Sequence, residues 1–265
     1  MNNSLKKNNS QEFPEGMVPL GTSVFQFNCH PGVSCFTHCC RKLELFLYPY
    51  DIIRLKKRLG IDSESFLTSH VLVSQAVNPN FPTVQLKMLD NEEKTCPFLG
   101  RSGCTVYEDR PSACRTYPLE RAVARTFTRG RPDEYYFMTH HLYCKGHAET
   151  RVWTVKQWLK DQQIQYFNLM NDLWAEMDTL FAGNPWQGEG DAGPRQQMAF
   201  MVCYNLDRFR QYVNEHNLLQ EFDLDKASRR HIEQDDEALL RFGFDWLKFT
   251  LAGISTLKVK GPGQQ

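Results

Sequence analysis

Cysteines are the residues of this chain whose type and spacing could do chemistry. Eight of the nine lie in the first 144 residues, and the stretch CHPGVSCFTHCC at residues 29–40 contains four of them, two adjacent. Independent burial would not concentrate thiols in one half of the chain, so we expect these eight to share one purpose. They are Cys29, Cys35, Cys39, Cys40, Cys96, Cys104, Cys114 and Cys144. Cys203 stands alone within MAFMVCYNLDRF and is expected to be a buried small apolar side chain.

Clustered thiols can form disulfides, bind a metal or act as nucleophiles. The amino terminus, MNNSLKKNNSQEFPEG, lacks the apolar core of a secretory signal, and no run of eighteen apolar residues predicts a membrane span. We therefore predict a cytoplasmic protein, in which thiols stay reduced, and this favours a metal site over disulfides. The redox motif Cys-x-x-Cys does not occur, and a lone nucleophilic cysteine would need a nearby histidine.

The spacing of the thiols indicates how many ligand sets they form. If the chain is helical from Cys35, that residue and Cys39 share one face, while Cys40 points about 100° away. The adjacent pair is therefore expected to serve two different positions. Eight thiolates are twice the four that a tetrahedral zinc or a [4Fe–4S] cluster takes, which predicts two sites or one larger cluster. The gaps match neither the paired Cys-x-x-Cys zinc module nor the bacterial ferredoxin run, so they leave the metal open.

Four motifs occur in an order that resembles the YkgJ family of cysteine-cluster proteins, described as zinc- or iron-chelating. They are CHPGVSCFTHCC, PYDIIRLKKRLG, CPFLGRSGCTVYEDRPSACRTYP and YCKG, and together they span roughly residues 25 to 147. The resemblance implies that all eight clustered cysteines are metal ligands. The chain departs from the family in one respect. The family is named for a tight C-x2-C-x2-C-C run, whereas this chain has longer gaps between its first three cysteines, and Cys29 is the outlying one.

The same resemblance bears on the cofactor. The family includes flagellin lysine methylases associated with an iron–sulfur cluster, although most members have no assigned activity. That link, and a surplus of thiolates over the needs of any one zinc, favour a [4Fe–4S] cluster, with zinc as the alternative.

Basic side chains near the cysteines are expected to support the site. Arg110 and Arg115 flank Cys114, where we expect them to neutralise the charge of clustered thiolates. Three histidines around Cys144 could supply nitrogen ligands to zinc, although the cysteines already suffice for four-coordinate sites. These are His140, His141 and His147.

The remaining pattern predicts an α+β fold, with a loop-rich cysteine half of short helices and strands followed by a mainly helical carboxy-terminal part. PYDIIRLKKRLG and DSESFLTSH predict short helices, TVQLKML a strand, and RAVARTFTRGRPDEYYFMTH two strands around an RGRP turn. From Trp153 to Phe181 apolar residues recur at helical spacing, and QQMAFMVCYNLDRFRQYV and DDEALLRFGFDWLKFTLAG predict further helices. We predict a mobile tail at 1–20, a cysteine-cluster domain at 21–150, a helical part at 151–255 packed on it, and a mobile tail at 256–265.

Composition narrows the class of partner. Lys plus Arg number 31, as do Asp plus Glu, so neither nucleic acid nor a membrane surface is an expected partner.

Two functions remain open. One is a metal or iron–sulfur enzyme of redox or methyl-transfer type, acting on an unknown protein or small-molecule substrate. The other is a non-catalytic zinc-binding structural or interaction protein. An open coordination position would favour the enzyme, whereas complete thiolate ligation with no adjoining cavity would favour the structural protein.

Overall fold

The computed structural model describes residues 18–75, 77–127 and 132–261, and over these residues the chain has the predicted α+β fold. Turns and short strands dominate the cysteine half, whereas the long helices follow residue 155. Most of the predicted tail at 1–20, residues 129–131 of the RGRP turn and residues 262–265 lie outside the described residues. Residues 258–260, which the prediction placed in the second tail, hydrogen bond to residues 221–223.

Three α-helices of the cysteine half are short, and side chains mark their ends: α1 (Pro49–Leu59), α2 (Ser63–His70) and α3 (Ser112–Thr116). The carboxylate of Asp51 accepts the backbone N–H of Tyr48 at 3.0 Å and so closes the first turn of α1. Gly60 ends this helix with φ of 67°, a conformation in which a side chain would be strained. Helices α1 and α2 confirm the sequence prediction.

The strands of the described residues form four two-stranded antiparallel sheets. The first joins β1 (Val24–Gln26) to β8 (Val152–Thr154), and the second joins β2 (Val71–Ser74) to β3 (Thr83–Leu86). The third is a tight hairpin of β4 (Leu99–Gly100) and β5 (Gly103–Cys104). The fourth pairs β6 (Leu119–Phe127) with β7 (Pro132–Met138), in the region predicted to hold two strands.

Six further α-helices complete the described chain: α4 (Val155–Asp161), α5 (Ile164–Ala182), α6 (Pro194–Tyr204), α7 (Leu206–Glu215), α8 (Lys226–Gln234) and α9 (Asp236–Ala252). Two helical patterns of the sequence are each broken in the structure. The stripe from Trp153 to Phe181 is interrupted at Gln163, whose φ is +52°, and the next segment is interrupted at Asn205, whose side chain caps α7. Local backbone geometry and capping therefore override a continuous apolar periodicity.

Two apolar clusters hold these elements together. The larger one contains residues from both sides of residue 150, among them Leu55 of α1, Phe181 of α5 and Leu247 of α9, and it includes the fully buried Cys203 as predicted. The smaller one packs Phe25 of β1 against Trp158 of α4. None of the helices in the described ranges is long and apolar enough to cross a bilayer.

Candidate metal centre

The doubled cysteine lies in a turn, not in an α-helix. The segment consists of turns followed by one 3-10 turn at His38–Cys40, and Thr37 before it has φ of 64°. The helical face that would align Cys35 with Cys39 is therefore absent from this described segment. Other contacts bring these thiols together with distant ones.

One group of cysteines forms where the chain after β1 meets the loop before β8. The backbone N–H of Lys145 donates to Sγ of Cys35 at 3.0 Å, and the N–H of Asn28 donates to the carbonyl of Gly146 at 3.0 Å. Residues more than a hundred positions apart in sequence are thereby adjacent. We name this group the N-terminal set: Cys29, Cys35 and Cys144.

A second group forms around the β4–β5 hairpin. The N–H of Cys96 donates to the carbonyl of Cys40 at 2.8 Å, and Cys104 is paired with Leu99 across the hairpin. Cys114 of α3 lies near these residues. After burial, the thiols of Cys96 and Cys104 are among the causes that raise its pKa. We name this group the hairpin set: Cys40, Cys96, Cys104 and Cys114.

Cys39 lies between the two sets. Burial is the largest cause of the raised pKa of Cys29 in the N-terminal set and of Cys114 in the hairpin set. The charge of Cys39 is a further cause at both thiols. A hydrogen bond with the thiol of Cys40 outweighs burial and lowers the pKa of Cys39 to about 7. The adjacent pair thus occupies the junction, and that its members serve two different positions stays a prediction.

Thiols this close disfavour one another's ionisation. Burial first, and then neighbouring thiols, raise the pKa of Cys29 to about 11 and that of Cys96 to about 11. A bound cation removes this penalty, because a coordinated thiol is held as the thiolate by the charge of the metal. The described cysteines form no disulfide, so all of these thiols are chemically free to ligate.

The donor chemistry fits a thiophilic metal, but the side chains are not converged on one point. Among the described Cys, His, Asp and Glu residues, no three have donor atoms placed to share an ion. Ligation would therefore require rotation of cysteine side chains, several of which are at least partly exposed and have room to turn. Soft sulfur donors in groups of four suit zinc and iron–sulfur clusters alike.

Tyr117 borders the N-terminal set, and nothing in the sequence singled it out as part of the site. Its hydroxyl lies 3.2 Å from Nε2 of His147 and also forms a hydrogen bond with the thiol of Cys144. The rings of His140 and His147 are 4.3 Å apart, and His141 stacks on Tyr117. His147 is therefore a hydrogen-bond partner of Tyr117, and His140 and His141 are aromatic neighbours of His147 and Tyr117.

The arginines divide their roles differently from the expectation. Burial raises the pKa of Cys104 and the charge of Arg110 acts against that rise, whereas at Cys39 the hydrogen bond with Cys40 lowers the pKa and the charge of Arg41 adds to the lowering. Arg115 is instead buried over the ring of Phe167, at 4.5 Å, and donates to backbone carbonyls of Gln162 and Glu108. Charge compensation at the thiols thus comes from Arg110 and from Arg41, which the sequence did not single out.

A buried carboxylate fixes the helix that presents Cys114. Asp51 is fully buried and accepts the N–H of Ser112 at 2.8 Å and its hydroxyl at 3.1 Å. Because Asp51 also closes the first turn of α1, it joins that helix to the start of α3. Burial raises the pKa of this carboxyl to about 6 even though the hydrogen bonds act in the opposite direction.

A cleft of about 1040 Å³ opens beside this centre. Its walls are α3, β6 and α5, and Ala113 and Thr116, the neighbours of Cys114 on α3, line one end. Tyr117 lines the same end and touches Cys144, so the cleft adjoins both sets of thiols. Sequence reasoning gave no indication of this cavity, because its walls consist of residues whose pattern indicates helix and strand packing.

Comparison with known proteins agrees with the cysteine chemistry. Residues 28–145, a little under half of the chain, match the model of the CxxCxxCC family, described as "Putative zinc- or iron-chelating domain". No curated protein and no solved structure shows significant similarity to the chain. The matched range begins one residue before Cys29 and ends one residue after Cys144, so it encloses both sets. Residues 28–145 are therefore similar to this cysteine-cluster family, which is described as chelating zinc or iron, and this likeness supports metal binding through the cysteine cluster.

Proposed function

We propose that the eight clustered cysteines bind two metal centres, with Cys39 joining the N-terminal set to give four thiolates in each. Four is the number that a tetrahedral zinc or a [4Fe–4S] cluster takes, and two centres use every clustered thiol. The observation that carries the proposal is that eight free thiols from distant segments form two neighbouring sets, with Cys39 between them.

An iron–sulfur cluster, [4Fe–4S] before zinc, is the cofactor we favour. Burial, followed by the neighbouring thiols, raises the pKa of Cys29, and burial raises that of Cys104 although Arg110 opposes it, so a bound cation would favour the thiolates that a cluster needs. When bound, such a cluster supplies one-electron chemistry or an iron that can take a substrate ligand. The residues present supply its thiolates.

The adjoining cleft favours an enzyme over a purely structural protein. A centre that only stabilises loops has no need of an adjoining cavity of this size, whereas ligand sites are concave and lie beside the reacting groups. We infer a substrate site in the cleft for a redox or methyl-transfer reaction, with Tyr117 and the Cys114 end nearest the metal. The alternative is a zinc-binding interaction protein.

Purification without oxygen tests the cofactor directly. We expect brown protein with iron and acid-labile sulfide, whose visible absorbance bleaches on exposure to air. Colourless protein with zinc and no sulfide would reject the iron–sulfur proposal in favour of zinc. Protein that holds neither metal, after refolding with each under anaerobic conditions, would reject the metal centre itself.

A further inference from the structure

A small chamber lies at the boundary of the cleft, away from the thiols. It measures about 140 Å³ and shares three lining residues with the cleft: Tyr48, Trp174 and Asp178. The rings of Phe46 and Tyr204 also line it. A space of this size is too small for a whole drug-sized ligand and suits one compact head group.

Aromatic rings form several walls of the chamber. Trp174 and Tyr204 are almost completely buried, and their ring centroids lie 5.4 Å apart at 63°. Tyr48 is about one-third exposed, with 37% of its surface accessible, and it stands at the rim. The faces of such rings carry negative electrostatic potential, which attracts organic cations.

One carboxylate completes the lining. The side chain of Asp178 accepts a hydrogen bond from Nδ2 of Asn78 at 2.8 Å, and the same amide donates to the Asp178 carbonyl at 3.0 Å. In the parts of the chain that the structure describes, Asp178 forms no ion pair with Lys, Arg or His. Its charge therefore has no protein cation to neutralise it inside a partly desolvated space.

The cleft beyond the chamber has the same sign of charge. Its walls carry four carboxylates against one guanidinium, that of Arg121. Two of the carboxylates are paired: Asp172 with Arg121 at 2.6 Å, and Glu176 with Lys248 at 2.6 Å. The negative potential left by Glu120 and Asp178 would attract a cation into the cleft.

We propose that the chamber binds the head group of an organic ammonium ion, with the cation between the rings of Tyr48 and Trp174 and the carboxylate of Asp178. The rest of the ligand would extend along the cleft. This inference goes beyond the proposed function and does not depend on the metal bound, so failure of one leaves the other standing.

Calorimetric titration of the full-length protein at low ionic strength tests the proposal. Choline and n-butylammonium are the cationic probes, and they distinguish a quaternary from a primary ammonium. The neutral control is 3,3-dimethylbutan-1-ol, which has the shape of choline without its charge. We expect saturable binding of at least one cation, and binding of the neutral analogue at least about tenfold weaker.

Two matched variants locate the site. Asp178→Asn retains an oxygen to accept from Asn78 and should weaken cation binding at least about fivefold. Glu120→Gln removes the same charge from the cleft wall but not from the chamber, and it should change binding by less than about twofold. Tyr48→Leu, which removes the ring at the rim, should weaken binding even if Asp178→Asn fails to fold.

Three results would overturn the proposal. The first is equal affinity for choline and its neutral analogue, which would indicate a merely apolar pocket. The second is an equal loss of cation affinity in Glu120→Gln and Asp178→Asn, which would indicate general electrostatic attraction by the cleft and no specific site in the chamber. The third is no saturable binding of either cation up to about 50 mM.

Discussion

Replacing Asp51 by asparagine should change how the stability of the protein depends on pH. Asp51 is fully buried, and burial raises the pKa of its carboxyl to about 6, against 3.8 in the absence of a folded environment. Hydrogen bonds from Tyr48 and Ser112 favour the ionised form but do not outweigh burial. Asparagine has nearly the same shape and no charge, and although its NH2 group would replace one oxygen that accepts a backbone N–H, that loss does not depend on pH. The pH dependence of the difference between wild type and Asp51→Asn therefore isolates the ionisation.

The sign of the effect follows from the raised pKa. Since the folded carboxyl holds its proton more tightly than the unfolded one, its contribution to stability is full below about pH 4 and is lost as pH rises through about 6. These two pKa values give the size of the effect. Lowering the pH from 7 to 5 should raise the free energy of unfolding of the wild type by about 1.4 kcal/mol relative to that of Asp51→Asn.

Urea unfolding followed by tryptophan fluorescence measures both free energies at equal metal content. Asp207→Asn is the matched control, because hydrogen bonds from Lys56 and Ser63 lower the pKa of Asp207 in spite of burial. Its difference from the wild type should therefore stay constant between pH 5 and 7. A difference between wild type and Asp51→Asn that is flat, or that grows as the pH rises, would refute the reasoning.

Further predictions concern the metal centre. Cys114→Ser should lower the metal content per protein, because a hydroxyl is a poor ligand for a soft metal, whereas Cys203→Ala should leave it intact and cost about 1 kcal/mol of packing. Cys39→Ser and Cys40→Ser should produce different losses of metal and different visible spectra, and identical losses would argue for one shared position. Chelation should lower the melting temperature and reduce the near-ultraviolet dichroism of the loop-rich half, and unchanged values would contradict a stabilising metal. Gly146→Ala should destabilise the protein, as measured by urea unfolding, because the new Cβ would lie 2.8 Å from a backbone oxygen.

Helix boundaries were predictable where a residue type marks them. Asp51 and Gly60 delimit α1 in the sequence and in the structure, by a carboxylate cap and a left-handed glycine. The break at Gln163 has no such marker, because glutamine rarely adopts a positive φ and the apolar stripe continues across it. Helix α8 is rich in charged and polar residues and buries only Ile232, so it offers too few apolar residues for an apolar stripe to reveal it.

The sequence predicted the type of site, a metal centre made of cysteines, but it did not predict how those cysteines are arranged in space. Clustered cysteines indicate a metal whatever their arrangement, but the contacts that sort them join positions far apart, such as Cys35 and Lys145. No local pattern encodes a pairing across 110 residues. The roles of Tyr117 and Asp178 were hidden for the same reason, since each depends on a neighbour from another part of the chain.

The pairing of β1 with β8 has a consequence for how this protein could be rebuilt. It places Gln26 opposite Val152, and the Asn28 N–H reaches the Gly146 carbonyl at 3.0 Å, so the two ends of the cysteine segment lie side by side. A segment with adjacent ends can be grafted into a host loop, or joined end to end and opened elsewhere, with little displacement of what flanks it. The cysteine segment could therefore be inserted into another protein. The new host would have to supply an apolar surface in place of the carboxy-terminal helices against which the segment packs.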